Sequence, residues 1–218
     1  MNKILFILFL FISLHTSGQV SKNRYAVWVI PSIDTRINGL SVGLMINSVK
    51  SNDSILTTIV NGVNTEIIGV GFFLPLVPSS PIYFEDSEFY EIIENVDSII
   101  RSYDYVKYKI NGLNFSLGGL GGHDIHVNGI NLSGINTLTG KTNGISACAL
   151  INITAVANGI SFAVLINNTM QTKGLQIGLF NETKKLRGIQ IGLWNKNEKR
   201  NLPIINWNFS NYPQNDND

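Results

Sequence analysis

A repeat of about 15 residues constrains this chain more than any other feature of its sequence. The segment Gly174–Asn181 (GLQIGLFN) is followed by a near-copy, Gly188–Asn195 (GIQIGLWN). Looser copies begin at Gly112, Gly129, Gly144 and Gly159, so that successive repeat glycines lie 14 to 17 residues apart. A short fixed period of this kind is typical of a solenoid, in which stacked repeats bury surface that one repeat cannot bury alone.

Alternate residues of each repeat differ in chemistry. Counted from the repeat glycine, the first, third and fifth residues are mostly aliphatic or aromatic, as in Leu175, Ile177 and Leu179. The second residue is Asn, Ser or Gln, and the fourth is small. A period of two is typical of a β-strand. We therefore expect every repeat to contribute the same strand, with the first, third and fifth residues forming a shared apolar core.

The length of the repeat favours one architecture. A membrane-spanning β-hairpin needs more than ~20 residues, because each spanning strand takes ~9–11. Two short strands and two tight turns fit the observed spacing. The sequence therefore predicts an all-β fold, a β-solenoid-like stack of repeats with one inserted amphipathic helix. The alternative is a small antiparallel β-barrel or sandwich.

The part of the chain before Gly112 predicts less regular strands. The expected strands are Tyr25–Ile30, Ile37–Val49, Ile55–Val60 and Glu66–Leu76. Asn61-Gly62 predicts a turn between the last two of them. The Asn residues after the later repeat strands (Asn152, Asn167, Asn181, Asn195) are also expected to lie in turns, since Asn tolerates left-handed backbone.

The segment Glu85–Tyr103 differs from the repeats. Its apolar residues recur at spacings of three and four, and its acidic residues cluster at the start, where a helix dipole favours them. This pattern predicts a helix that covers an open edge or end of the sheet, with a functional lid as the alternative.

The N-terminus predicts export. Lys3 precedes the apolar run Ile4–Leu14, and small or polar residues follow it to Gln19. This arrangement is typical of a secretory signal peptide, and the run is too short for a transmembrane helix of ~20 residues. We expect residues 1–19 to be a signal peptide, 20–210 one β-repeat domain with a helical insertion near 85–103, and 211–218 a disordered tail. The exported protein is expected in the periplasm, at the outer-membrane surface or outside the cell, without a membrane-spanning segment.

The charge balance argues against nucleic acid as a partner. Removing Lys3 from the 16 basic residues leaves 15 against 15 acidic residues, so no overall field attracts a polyanion. The chain is 44% hydrophobic and 14% charged, which suits a folded domain. Its one cysteine, Cys148, leaves stability to packing and hydrogen bonding.

Three features resemble chemical sites but have plainer explanations. His123, Asp124 and His126 could ligate a metal, but they lie in a glycine-rich connection and a site needs further ligands. Gly118–Gly122 lacks the Lys-Ser/Thr that completes a phosphate loop. Cys148 occupies the small fourth position of its repeat, which predicts a packing role. We therefore predict no catalytic, cofactor-binding or metal-binding residues, and no cofactor.

Four side chains remain as candidates for contact with a partner. Gln176 and Gln190 would stack in adjacent coils, as would Phe180 and Trp194. If exposed, they form a contact strip with aromatic anchors. The alternative is a hydrogen-bonded Gln ladder, with the aromatic rings packed on a neighbouring element.

The last two repeats and the segment Asn197–Trp207 resemble a family of bacterial surface-repeat proteins built on Gly-Leu-Gln-Ile-Gly-Leu-x-Asn units. The Asn111–Leu113 and Gly71–Leu76 segments are also similar to that family. The resemblance implies a secreted or outer-membrane-associated protein and carries no catalytic residues. We therefore expect a non-catalytic secreted or cell-surface structural or interaction protein with an unknown envelope partner. The alternative is a small-ligand-binding module of the bacterial envelope.

Overall fold

The structure, a computed structural model, describes residues 22–30, 32, 34–44, 58–76 and 106–210. The predicted signal peptide, the predicted helix at Glu85–Tyr103 and the predicted tail lie outside these residues. Within the described ranges, ten strands form one sheet in which each strand neighbours the next along the chain. They are β1 (Lys22–Ile30), β2 (Thr35–Gly43), β3 (Thr58–Glu66), β4 (Tyr108–Ser116), β5 (Gly121–Ser133), β6 (Asn136–Cys148), β7 (Ile151–Ala163), β8 (Ile166–Ile177), β9 (Phe180–Lys196) and β10 (Asn201–Asn208).

Strands β1 to β9 run parallel, and each repeat glycine pairs with the repeat glycine of the next coil from β2 onward. Only β10 runs antiparallel, along β9. Two-residue connections such as Ala149-Leu150 and Val164-Leu165 join consecutive coils. This sequential parallel order is that of a β-solenoid, so the predicted fold is confirmed and the antiparallel barrel or sandwich is not supported.

The prediction that the aliphatic residues fill the interior is wrong. Ile160, Phe162 and Val164, the first, third and fifth residues of their repeat, are 40%, 40% and 50% exposed. Ser161 and Ala163, between them, are buried. The inside of a coil is narrow, since the Asn167 side chain reaches the Ile177 carbonyl oxygen across it. In most repeats the polar second residue bonds to the neighbouring coil, as Asn114 does to Asn131. Burial of that residue therefore leaves no polar group unpaired.

An aliphatic core is present, but it lies before the repeat glycine and near the N-terminal end. The second residue before the glycine is Ile37, Val60, Ile110 or Val127 in the first coils, and all four are buried. The same position holds Thr142, Ala157 and Thr172 in later coils, also buried. Apolar packing therefore dominates at one end of the solenoid, and small and polar packing dominates further along.

Two local predictions before Gly112 are also wrong. Asn61-Gly62 is not a turn but lies inside β3, where Gly62 pairs with Gly39 and Gly112. The segment Glu66–Leu76 is not a strand either, because β3 ends at Glu66 and a 3₁₀-helix spans Val70–Leu76. The Asn-Gly pair belongs to the repeat. Its glycine has a positive φ inside a parallel strand and does not form a hairpin turn.

The repeat glycines have a conformation that other residues rarely adopt. Their φ angles lie between 127° and 154°, a region that side chains with a Cβ disfavour. A Cβ on Gly159 would also clash with the carbonyl oxygen of Gly144 in the preceding coil. Glycine is therefore required both by the backbone angle and by the close approach of neighbouring coils.

Replacement of Gly159 by Ala is expected to destabilise the protein by about 2 kcal/mol or more, because the strained φ and the clash add together. The free energy of unfolding, measured by urea titration, checks this. Ala147→Ser, at a half-buried outward position, is the control and should change stability by less than about 0.5 kcal/mol. Equal unfolding midpoints for the two variants would contradict the assignment.

Candidate functional site

A buried ladder of polar side chains runs along the inside of the solenoid at the second residue after the repeat glycine. The Ser41 hydroxyl donates to Asn64 Oδ1 at 2.5 Å, and the Asn64 amide donates to Asn114 Oδ1 at 2.6 Å. Asn114 donates to Asn131 at 2.7 Å, and Asn131 donates to the Ser146 hydroxyl at 3.1 Å. All five residues are fully buried. The interior of these coils is therefore closed by side chains that bond to one another.

The four predicted contact residues separate into two pairs. Gln176 and Gln190 belong to the buried ladder, and the Gln190 amide donates to Gln176 Oε1 at 2.8 Å. They are not available at the surface, so the strip cannot include them. Phe180 is the first residue of β9 and Trp194 lies near the end of the same strand, and both are about half exposed. The structure therefore leaves only the two aromatic rings accessible to a partner.

A second ladder consists of half-buried asparagines directly before the repeat glycines. Each amide nitrogen lies 2.7 or 2.8 Å from the Oδ1 atom of the asparagine in the preceding coil. The ladder comprises Asn38, Asn61, Asn111, Asn128, Asn143 and Asn158. Lys173 and Arg187 take the same position in the last two parallel coils, so the ladder ends where the row becomes basic.

The asparagines that were predicted to lie in turns form a third ladder. Asn152 donates to Asn167 at 3.3 Å, Asn167 to Asn181 at 2.9 Å, and Asn181 to Asn195 at 2.8 Å. They are buried inside strands. Asn167 and Asn181 also donate to the carbonyl oxygens of Ile177 and Ile191 across the coil. Their role is to bond coils together and to bond the two sides of one coil, so the turn prediction is wrong.

The outside of the solenoid carries an extended apolar surface. We name it the apolar face and define it as the outward first, third and fifth residues after the repeat glycines of β2 to β9. Its first column is Leu40, Val63, Leu113, Ile130, Ile145, Ile160, Leu175 and Ile189, in register across adjacent strands. Leu193, in the fifth column, is 61% exposed. Strands β1 and β10 continue these columns with Val27 and Trp207.

The apolar face is large for a surface in contact with water. Neighbouring strands lie about 4.8 Å apart and residues along a strand about 3.3 Å apart. Ten strands and five residues therefore define a surface of about 43 by 13 Å, on the order of 500 Å² before side chains are counted. A contiguous apolar patch of this size is often a functional surface. It is the feature of the described residues with the clearest functional meaning.

The residues considered for chemistry occupy structural positions. Asp124 lies 3.8 Å from the Lys107 ammonium, and His126 is buried in β5. No group of three or more His, Cys, Asp or Glu side chains that could hold a metal occurs in the described ranges. Cys148 is buried at the small fourth position, and burial raises the pKa of its thiol to about 12.

Comparison with protein-family models, with curated proteins and with solved structures found no match. The resemblance to the surface-repeat family therefore stays a prediction. No helix among the described residues has both the length and the apolar character needed to cross a membrane.

The sequence separated the two sets of alternating residues in each strand correctly. The set that was predicted to point inward points outward, and the other set points inward. A signal for the true arrangement was present in the second and fourth residues. The second is an amide or hydroxyl in every repeat from Gly112 onward, and the fourth is small. Small residues suit a narrow interior, and stacked amides can satisfy one another there.

Asn131→Ala is expected to destabilise the protein by about 2 kcal/mol or more, because it leaves the buried Asn114 amide without its acceptor and creates a cavity. Asn143→Ala removes a rung of the half-buried outer ladder, where water can replace the lost partner, and should cost less than about 1 kcal/mol. Thermal and urea unfolding of the two matched variants measure the difference. An equal loss in both would contradict the buried placement of Asn131.

Cys148 is expected to resist alkylation by iodoacetamide at pH 8 in the folded protein and to react after unfolding in urea. The raised pKa leaves on the order of 10⁻⁴ of the thiol ionised at this pH, and the thiolate is the reactive form. The ordinary pKa is 9.0, so the stabilisation from burying the neutral thiol is complete below pH 9 and falls as pH rises towards 12. Mass spectrometry detects the labelling. Rapid labelling of the folded protein would refute the buried placement of Cys148.

Proposed function

We propose that the protein is a non-catalytic structural or interaction protein, exported to the cell envelope or surface, whose β-solenoid body presents the apolar face to a partner. The observation that carries the proposal is the continuity of that face across all ten strands. Contiguous apolar surface in contact with water is unfavourable at about 25 cal/mol per Å². A complex in which a partner covers the apolar face is stabilised by this free energy.

The ladders support a rigid scaffold. A fold that holds its coils together by stacked amides keeps its shape when the outer face binds, because the two sets of side chains point in opposite directions. The outer rows therefore define a surface of regular spacing and fixed geometry. Such a surface is suited to docking onto a partner that is itself extended.

The alternative, a small-ligand-binding module, would use a cavity lined by apolar groups with a few converging polar groups. The interior instead holds Asn114 and Asn131, bonded to each other and to their neighbours. Nothing among these contacts favours a ligand over the existing hydrogen bonds. We therefore keep the scaffold as the proposal.

The proposal predicts that the apolar face is covered in the cell. Phe162→Cys and Asn168→Cys, each with Cys148→Ala, place single thiols on the apolar face and at a half-buried outward position on the opposite side of the coils. After fractionation, we expect the protein in the envelope or the medium. A membrane-impermeant maleimide added to isolated envelopes should label the Asn168→Cys protein and leave the Phe162→Cys protein largely unlabelled.

The purified, denatured variants are the control, and both should then react equally. Recovery of the protein in the cytosol would refute export. Equal labelling of both variants in envelopes would show that the apolar face is uncovered and would refute its role in docking.

A further inference from the structure

We infer that the apolar face docks onto a lipid bilayer that contains anionic phospholipid. The inference deepens the proposed function, on which it rests, by naming the partner. It depends on basic side chains that lie beside the apolar face. The partner must therefore offer both negative charge and an apolar layer.

A row of basic side chains borders the apolar face. We name it the basic flank: Arg36, Lys109, Lys141 and Lys185 lie three residues before their repeat glycines, and Lys173 and Arg187 one residue before. The residues between these two columns, such as Ile110 and Leu186, are buried, so the flank side chains point outward. In β2 to β9 neither column contains Asp or Glu. The basic flank therefore has one sign of charge along these coils.

The basic flank lies close to the apolar face. Lys173 and Leu175, like Arg187 and Ile189, are two residues apart on the same strand and both point outward. This spacing corresponds to about 6.6 Å. Long basic side chains at this distance can reach phosphates at the headgroup level while the apolar columns contact the acyl region, as in interfacial proteins that lie on a membrane. The whole-chain net charge of +1 conceals this local excess.

A second copy of the chain is a poorer occupant. On the other side of the apolar face, the sixth residues of the repeats are Ile135, Leu150, Leu165, Phe180 and Trp194. In the columns of β2 to β9 that border the face, no carboxylate is therefore offered to the basic flank of another copy; the Glu198 carboxylate, at the end of the stack, accepts a hydrogen bond from the Leu186 backbone N–H. A face-to-face dimer would bury apolar area but would supply few anionic groups to the basic flank. An anionic bilayer supplies both an apolar layer and negative charge.

Two tryptophans report on the same surface. Trp194, beside the fifth column, and Trp207, opposite Ile189, are each about half exposed. Aromatic side chains of this kind are favoured at the boundary between headgroups and acyl chains. Their fluorescence provides a readout in the unmodified protein.

The test is vesicle flotation of the full chain with phosphatidylcholine alone and with an equal mixture of phosphatidylcholine and phosphatidylglycerol. We expect binding to the mixed vesicles that weakens as salt rises, and quenching of tryptophan fluorescence when the phosphatidylcholine carries brominated chains. No binding to mixed vesicles, or no quenching in the unmodified protein, would overturn the inference without reference to any variant.

Three variants locate the contact. Ile160→Thr/Phe162→Thr/Ile191→Thr should weaken vesicle binding by on the order of tenfold or more, because it removes apolar area from the centre of the face. Lys173→Gln/Arg187→Gln should weaken binding by on the order of tenfold and reduce its salt dependence. Asn168→Thr, at a half-buried outward position on the opposite side of the coils, is the matched control and should bind as the unmodified protein does. Circular dichroism checks the fold of each variant.

The outcomes separate the inference from the proposed function. All variants keep the apolar segment Ile4–Leu14, so binding that persists unchanged in the triple threonine variant would place the contact there and overturn the inference. A dimer in sedimentation velocity that the triple variant dissociates, with no vesicle binding, would identify a second copy as the occupant and also overturn it. In either case the protein could still be exported and its face covered, whereas recovery in the cytosol would refute the proposed function itself.

Discussion

The distance of about 4.8 Å between parallel, in-register strands is the constraint on which the rest of the structure depends. It places the same position of successive repeats one above the other, at the separation at which side-chain amides bond. The measured amide contacts, such as 2.6 Å for Asn64 to Asn114 and 2.8 Å for Gln190 to Gln176, are consequences of that spacing. Amides that would be costly to bury alone become self-satisfying when stacked.

A stack of this kind must be closed where the repetition stops. At the N-terminal end, Trp28 packs against the aliphatic core, and the Arg24 guanidinium lies 4.1 Å from its ring centroid. At the other end, β10 folds back along β9, and the Asn206 amide donates to the Asn195 carbonyl at 3.2 Å. Pro203 and a bulge between Leu202 and Ile204 interrupt regular pairing in this last strand. Such features discourage further strands from adding to an open edge.

Much of the fold could be predicted from the repeat, because its period excluded spanning hairpins and its alternation identified the strands. The choice between inside and outside could not be made by hydrophobicity. Ile160 and Ser161 alternate equally well in either orientation, and the usual preference for aliphatic burial selects the wrong one. The deciding facts are the narrow interior and the hydrogen-bond partner that most of the polar second residues find one coil away. Both depend on parallel stacking, which a single repeat does not reveal. For the same reason the sequence left Gln176 and Gln190 open between surface contacts and rungs of a hydrogen-bonded ladder, and the structure shows them as interior rungs.

Repetition of the sequence does not by itself explain why the apolar residues lie on the outside. Strand β10 runs in the opposite direction and lacks the repeat sequence, yet it keeps the same two sides. Asn206 lies opposite Gln190 and is buried, while Trp207 and Ile205 lie opposite Ile189 and Ile191 and are about half exposed. A terminal strand whose only role was to close the stack would satisfy its interior side equally well with polar residues outside. Its aromatic and aliphatic exterior extends the apolar face by one more strand, which is the arrangement expected if that face, and not the interior, makes contact with the partner.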